Sequence, residues 1–192
     1  AGLSPADIAM PIRSRLARYQ NTSVLLGEAE KIDLAGQKVE FDFGELSYDY
    51  LVVACGANHS YFGHNDWEQY APGLKTISQA TEIRKRVLSA FESAERISDS
   101  DEQKKYMTFV IVGGGPTGVE LAGAIGEMSR FTLAKDFRHI NPSHTRVILV
   151  EAGSRILPMF SEQLSNRAAR DLEKLGVQIW TSTAVTNIND EG

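Results

Sequence analysis

The fold is decided by residues 107–122, which read MTFVIVGGGPTGVELA. The first six residues, 107–112, are mostly apolar and predict a buried strand. A glycine-rich turn follows, and a helix is expected from about Thr117 to about residue 135. Glycines 113, 115 and 118 give the pattern Gly-x-Gly-x-x-Gly. Between a strand and a helix, that pattern indicates a dinucleotide-binding turn.

The glycines of this turn have separate physical roles. Gly113 permits the tight turn, Gly115 leaves room for a pyrophosphate, and Gly118 lets the helix pack closely. The N-terminus of the following helix offers free N–H groups and a positive dipole end to phosphates. We therefore predict a dinucleotide site made of Gly113, Gly114, Gly115, Pro116, Thr117 and Gly118. The competing interpretation is a packing turn that binds nothing.

A second strand is predicted at residues 146–151, and Glu151 ends it. A carboxylate at this point accepts hydrogen bonds from the adenine ribose and repels a 2′-phosphate, which favours NADH over NADPH. Glu151 follows Gly113 at a longer spacing than is usual, and we assign the excess to a helix extension and insertion in residues 129–145. The competing interpretation is an exposed glutamate at a strand end.

The remaining elements of this half complete an α/β pattern. A helix is predicted from Ser161 to Leu175, and a third strand at residues 177–180. The order β-α-β-α-β predicts a parallel sheet with right-handed crossovers and helices on both faces.

The first half of the chain has a different period. A helix is predicted over residues 4–19, split at Pro11. Val24, Leu26 and residues 29–32 predict one strand and residues 39–43 a second, joined by a turn at residues 35–37, which makes a small hairpin. The continuous apolar run at residues 50–54 predicts a strand buried on both faces.

Between the two halves we expect an ordered loop and then a helix. The loop covers residues 57–75 and the helix residues 78–97. The polar stretch at residues 98–105 is interpreted as the domain boundary.

Composition excludes several classes of function. The net charge of −5 argues against a nucleic-acid binder with a basic surface. A single cysteine, Cys55, excludes an intrachain disulfide framework and a Cys-x-x-Cys redox pair. The four histidines have no metal-binding spacing, so no metal site is predicted. No apolar run approaches the roughly 18 residues of a membrane span.

Five stretches together resemble the type II NADH dehydrogenases, within the pyridine nucleotide-disulfide oxidoreductase superfamily. They are residues 47–57 (SYDYLVVACGA), 59–64 (HSYFGH), 71–76 (APGLKT), 113–123 (GGGPTGVELAG) and 150–153 (VEAG). These relatives are non-pumping flavoenzymes that pass electrons from NADH to quinone. The resemblance implies a Rossmann-like two-dinucleotide-binding flavoprotein fold with a small β-hairpin.

The resemblance also implies a domain layout. Residues 1–76 would be the latter part of the first FAD-binding segment, 77–104 a connecting helix and linker, and 105–192 the first part of the NAD(H)-binding domain. The glycine turn for FAD would precede Ala1, and a quinone site and membrane-associating tail would follow Gly192. The chain is therefore expected to be a segment of a longer polypeptide.

Site residues follow from the same resemblance. Glu151 and Ala152 would contact NADH, and Glu120 would lie near the flavin and nicotinamide as the catalytic residue. The residues alone leave Glu120 equally open to being a surface glutamate that stabilises the helix dipole. Ala54, Cys55 and Gly56 would contact FAD. Cys55 replaces the Thr usual in this superfamily, so the FAD contact is expected through the backbone, with Cys55 as a small buried packing residue.

The implied activity is FAD-dependent NADH:quinone oxidoreduction in respiratory electron transfer. The implied partners are NADH, a quinone, a membrane surface bound through the C-terminal region, and a second copy in a homodimer. The implied location is peripheral, at the cytoplasmic face of a membrane. Two alternatives stay open: another FAD/NAD(P)H-dependent reductase of the superfamily, and a non-catalytic NAD(H)-responsive binding module. Detection of bound flavin would distinguish the flavin-dependent enzymes from the non-catalytic binding module.

Overall fold

A computed structural model describes residues 9–56 and 59–190 of the chain. The described residues divide into two compact units, a smaller one of residues 9–56 and a larger one of residues 59–190. Among the described residues, no helix combines the length and the apolar character needed to cross a membrane.

The smaller unit contains one short helix and a three-stranded antiparallel meander. These elements are α1 (Ile12–Leu16), β1 (Ala29–Asp33), β2 (Lys38–Phe41) and β3 (Gly44–Ser47). The predicted hairpin is thus present, with its first strand beginning at Ala29. Its second strand ends at Phe41, and Asp42 and Phe43, predicted as strand, lie in the turn to β3, a strand that the alternation did not indicate. Asp33 fixes the first turn, because its Oδ1 accepts the N–H groups of Ala35 and Gly36 at 3.0 and 2.9 Å. Part of the predicted helix at 4–19 lies outside the described residues.

The predicted strand at residues 50–54 is wrong. The structure has no strand there, and the side chains are exposed, with Tyr50 at 95% and Val52 at 85%. A strand buried on both faces needs neighbouring strands and covering layers. No described strand pairs with this run, so its apolar character does not bury it.

The larger unit is built on a parallel sheet, as predicted. Its helices are α2 (Ile77–Glu95), α3 (Ser100–Tyr106), α4 (Pro116–Glu127) and α5 (Glu162–Lys174). Its strands are β4 (Thr108–Val112), β5 (Arg146–Val150) and β6 (Val177–Trp180), in the spatial order β4-β5-β6. Short turns of helix occur at Asn65–Gln69, Met128–Thr132 and Pro142–His144. The last lies within the predicted insertion at 129–145, and the second begins one residue before it.

Register and packing set where the site lies. Val112, Val150 and Trp180 are neighbours across the three strands, so the carboxyl ends of the strands meet at one edge. The central strand is the core of the unit, since Val147 and Leu149 are fully buried. Phe91 of α2 is also fully buried.

Strand β4 has an open outer edge within this unit, because β5 is the only described strand that pairs with it. Its alternate side chains Val110 and Val112 are 57% and 52% exposed, whereas Ile111 is buried.

The polar stretch interpreted as a linker forms helix α3 instead. Asp99 caps this helix, since its Oδ1 accepts the N–H groups of Asp101 and Glu102 at 2.9 Å. Lys104 pairs with Asp101 one turn away at 2.8 Å. Three signals in the sequence indicate a helix here: a capping aspartate, acidic residues in the first turn and basic residues in the last turn. The division into segments 1–76, 77–104 and 105–192 stays a prediction.

Glu95, at the end of α2, holds the loop that precedes β5. The backbone N–H groups of Arg138, His139 and Ile140 donate to its two oxygens at 2.9–3.1 Å. Burial of the carboxylate raises the pKa of Glu95, but these backbone donors outweigh burial, so the pKa lies below its ordinary value. The ionised carboxylate therefore stabilises the folded chain.

Glu95→Gln is expected to lower the melting temperature at neutral pH, because the neutral amide is a weaker acceptor for these donors. A lowered folded-state pKa gives stability that is present above the unfolded value of about 4.3 and is lost as pH falls through the folded value. The difference from wild type should therefore shrink as thermal melts move from neutral pH to about pH 3. Glu92→Gln, an exposed change on the same helix, is the control. A difference independent of pH would contradict the role of the charge.

Candidate functional site

The glycine turn connects β4 to α4 at the carboxyl edge of the sheet. Gly113 has a φ of +103°, a left-handed conformation that strains other residues. Its N–H donates to the carbonyl oxygen of Val150 at 2.8 Å, which fixes the turn to β5. Gly115 is the N-cap residue, and Pro116 begins the helix, where its missing N–H has no cost.

Two glycines of the turn face different surroundings. A Cβ on Gly118 would overlap the carbonyl oxygen of Gly113, so only glycine allows the helix to approach the turn this closely. A Cβ on Gly115 would meet nothing within 4 Å, so open space lies beside it. The first N–H groups of a helix have no partner within the helix. Open space next to these donors fits a diphosphate group.

Gly114 is tied to Glu151 across the sheet edge. Its N–H donates to Glu151 Oε2 at 2.6 Å, and its carbonyl oxygen accepts the N–H of Leu157 at 2.7 Å. Both backbone polar groups of Gly114 are therefore bonded within the protein. Gly114 thus positions the acid, a role that the sequence reasoning missed because the partners lie 37 residues apart.

The Glu151 carboxylate is partly buried and held from two sides. Besides the bond from Gly114, its Oε1 accepts the N–H of Gly153 at 2.6 Å. Each oxygen keeps acceptor capacity, because a carboxylate offers about four lone-pair sites. A fixed acceptor of this kind suits the hydroxyl donors of a ribose. Ala152 is exposed next to it.

Glu120 is exposed at the start of the second turn of α4. Within residues 9–56 and 59–190, its side chain forms no hydrogen bond or ion pair. The structure of this unit therefore places Glu120 on the surface of the helix that begins at the glycine turn, without a partner that would assign it a structural role.

Ala54, Cys55 and Gly56 belong to the smaller unit, whereas the glycine turn belongs to the larger unit. All three are exposed, and Gly56 has a φ of +72°. The expectation that Cys55 is buried is wrong. That expectation came from the lack of a second cysteine, which makes a redox thiol less favourable but does not by itself bury the side chain. The preceding run at residues 50–54 is exposed as well, so it does not cover Cys55.

Of the loop predicted at residues 57–75, the structure describes residues 59–75, which form an ordered loop with the short helical turn Asn65–Gln69. The hydroxyl of Tyr61 donates to the carbonyl oxygen of Ala71 at 2.7 Å. Arg86 of α2 donates to the carbonyl oxygens of Gln69 and Tyr70 at 3.1 and 2.9 Å. These bonds fasten the loop to α2.

No metal site is evident in the part of the chain that the structure describes, where no group of three His, Cys, Asp or Glu side chains could hold an ion. Among the described residues, the glycine turn together with the Glu151 carboxylate is the candidate functional site.

Residues 4–192 match the sequence profile described as pyridine nucleotide-disulphide oxidoreductase. The chain belongs to this family. Membership in the pyridine nucleotide-disulphide oxidoreductase family confirms the superfamily inferred from the glycine turn and its flanking motifs.

Two curated relatives from Mycobacterium tuberculosis carry the name type II NADH:quinone oxidoreductase. The first, Ndh, is 46% identical over 194 residues, covering 99% of this chain and 42% of the relative. The second, NdhA, is 45% identical over 194 residues, covering 99% of this chain and 41% of the relative. The chain thus spans about two fifths of the length of these relatives. The expected similarity to type II NADH dehydrogenases is confirmed.

Solved structures confirm the fold expected for the family. The structure of NDH2 from Plasmodium falciparum in complex with NADH matches with a TM-score of 0.72 and 27% identity, covering 86% of this chain and 34% of that one. A ferredoxin reductase from Rhodopseudomonas palustris, at 19% identity, matches with a TM-score of 0.66, covering 100% of this chain and 40% of that one, and shows the fold alone. The Rossmann-like α/β flavoprotein fold predicted from the sequence is therefore correct.

Proposed function

We propose that this chain is the NADH-binding part of a FAD-dependent type II NADH:quinone oxidoreductase. The observation that carries the proposal is the Glu151 carboxylate, held beside the glycine turn by the N–H groups of Gly114 and Gly153. The names of the Mycobacterium tuberculosis relatives and of the NADH-bound structure support the substrate pair.

In this proposal the diphosphate of NADH lies at the N-terminus of α4. The gap beside Gly115 admits it, and the helix dipole together with the free N–H groups stabilises its charge. The main contacts come from the backbone of residues 113–118. Arginine and lysine side chains are therefore not required to bind the phosphates.

Cofactor choice is assigned to Glu151, with Ala152 beside it. The carboxylate accepts hydrogen bonds from the ribose hydroxyls of NADH. The same negative charge repels the 2′-phosphate of NADPH. Because two backbone donors already fix the carboxylate, little conformational entropy is lost when the ribose binds.

FAD, when bound, supplies the hydride acceptor and the route for electrons to the quinone. The residues proposed to hold it through their backbone are Ala54, Cys55 and Gly56. Their exposure in the smaller unit leaves these backbone groups accessible to a ligand. The protein's contribution to the chemistry is then orientation and local charge, for which Glu120 is the proposed residue.

The remaining assignments rest on the family resemblance. The quinone is a membrane-soluble substrate, which supports a peripheral enzyme at a membrane surface, and cytoplasmic NADH would place it at the cytoplasmic face. A homodimer and the division into FAD-binding and NAD(H)-binding segments are proposed on the same resemblance.

The test uses the purified whole protein under anaerobic conditions. Addition of NADH is expected to bleach the yellow absorbance of bound flavin, and a soluble quinone analogue should then restore it. Absence of bound flavin would support the binding module instead. Flavin that NADH reduces but that quinone does not reoxidise would support another reductase of the superfamily.

Glu120→Gln is expected to slow flavin reduction or reoxidation by roughly tenfold or more, because a fixed charge beside the reacting rings acts strongly in a water-poor site. The melting temperature should stay close to that of wild type. Stopped-flow absorbance measures both half-reactions, and Glu127→Gln, an exposed change on the same helix, is the control. Unchanged rates together with a lowered melting temperature would assign Glu120 to the helix dipole.

A further inference from the structure

A chain of hydrogen bonds links α5 to the glycine turn. It starts at Ser165, which is 1% exposed and whose Oγ donates to the carbonyl oxygen of Ile156 at 2.7 Å. The next residue, Leu157, donates its N–H to the carbonyl oxygen of Gly114 at 2.7 Å. Gly114 in turn donates to Glu151 Oε2 at 2.6 Å. The buried serine is thus three hydrogen bonds from the carboxylate.

The middle of this chain is strained. Leu157 has a φ of +51°, in the left-handed region that leucine rarely adopts. Such a conformation persists only where the surrounding structure enforces it. Two features enforce it here: the bond from Leu157 to Gly114, and the side chain of Ile156, which is 2% exposed.

The side chain of Ile156 also packs directly on the turn. A Cβ on Gly114 would lie 2.9 Å from Ile156 Cγ2 and 3.0 Å from Glu151 Oε2, so the loop touches Gly114 with no space between them. A shift of the Ile156–Leu157 peptide would therefore displace both Gly114 and the carboxylate that Gly114 holds.

We propose that Ser165 is a positioning residue for the dinucleotide. By fixing the carbonyl of Ile156, it holds the strained loop in place, and the loop sets the position of the Gly114 peptide and of the Glu151 carboxylate. The proposal rests on the proposed function, since it requires that this turn binds NADH. Ser165 itself is buried and acts through the loop. Its loss should change dinucleotide affinity and leave the limiting rate of hydride transfer unchanged.

A second buried serine provides a matched control. Ser129 is fully buried, and its Oγ donates to the carbonyl oxygen of Gly126 at 3.1 Å. Ser129→Ala removes a buried hydroxyl and its backbone bond in the same unit, as Ser165→Ala does, and it also removes the acceptor of a long bond from Arg130 Nη1 at 3.4 Å. It breaks no bond to the loop at 151–157. Any general effect of deleting a buried hydroxyl appears in both variants.

The experiment compares Ser165→Ala, Ser129→Ala and wild type as whole proteins. Calorimetric titration with NAD⁺, which the oxidised protein cannot reduce, gives an affinity without turnover. Ser165→Ala is expected to weaken NAD⁺ binding by about three- to tenfold, the effect of one lost hydrogen bond, and to raise the half-saturating NADH concentration equally. The limiting rate of flavin reduction should match that of wild type. Amide hydrogen exchange should speed up at residues 113–118 and 151–157 in this variant alone.

Equal NAD⁺ affinity in the two variants would overturn the proposal, as would unchanged exchange at residues 113–118 in Ser165→Ala. A lowered limiting rate with unchanged affinity would also overturn it. Failure of wild type to bind NAD⁺ would instead reject the proposed function. In that case the exchange measurement still decides whether Ser165 holds the turn.

Discussion

Gly118→Ala is expected to destabilise the larger unit and to abolish useful NADH binding. The new Cβ would overlap the carbonyl oxygen of Gly113, a backbone atom, and would also lie 3.4 Å from Leu149 Cδ1 in the sheet. Neither the turn nor the buried strand can move freely, so α4 must shift away from the turn. Overpacking of this kind costs about 1–3 kcal/mol of the free energy of unfolding. The N–H groups offered to the diphosphate move with the helix.

The measurements for Gly118→Ala are thermal melting and NAD⁺ affinity, with two glycine variants for comparison. Gly115→Ala should fold normally but bind weakly, because its Cβ meets no protein atom and enters the open space where the diphosphate is proposed to bind. Gly123→Ala should bind normally and gain stability, because its Cβ would be in ordinary contact with Leu172, 3.5 Å away, inside a helix. Normal melting and binding by Gly118→Ala would contradict the turn geometry.

Glu151→Gln is expected to weaken NADH binding and to improve NADPH relative to NADH. Losing hydrogen bonds to a charged acceptor costs about 1.5–3 kcal/mol. The amide also has one oxygen only, so its NH₂ group would face the N–H of either Gly114 or Gly153. A loss of thermal stability should therefore accompany the change in specificity.

The control variant for Glu151→Gln is Glu173→Gln, which removes one negative charge from an exposed position on α5. The ratio of kcat/KM for NADH to that for NADPH measures specificity in both variants. If Glu151→Gln leaves this ratio at its wild-type value, the carboxylate does not contact the ribose.

The parts of the site that the sequence predicts are local in the chain. Strand β4, the glycine turn and the start of α4 follow one another, and each has a signal in its own residues. The bond between Gly114 and Glu151 joins residues 37 apart, and no residue pattern marks it. The contribution of Leu157 was also not predictable, because no residue pattern indicates a leucine in the left-handed conformation.

The errors in the predicted elements have opposite causes. Residues 50–54 are apolar enough for a buried strand, but burial depends on neighbours that the run does not have among the described strands. Helix α3 is polar throughout, so hydrophobic periodicity gave no signal for it. Its cap at Asp99 and its pairing of Lys104 with Asp101 were visible in the sequence, but the polar composition suggested a linker.

The open edge of β4 affects the self-association of this 192-residue chain in solution. Unpaired N–H and C=O groups along a strand are a template for another strand, and exposed Val110 and Val112 add apolar surface beside them. Because no described strand of the larger unit pairs with this edge, we expect molecules of this chain to associate through it as their concentration rises. Light scattering across a dilution series measures this association directly, whereas circular dichroism reports only secondary structure.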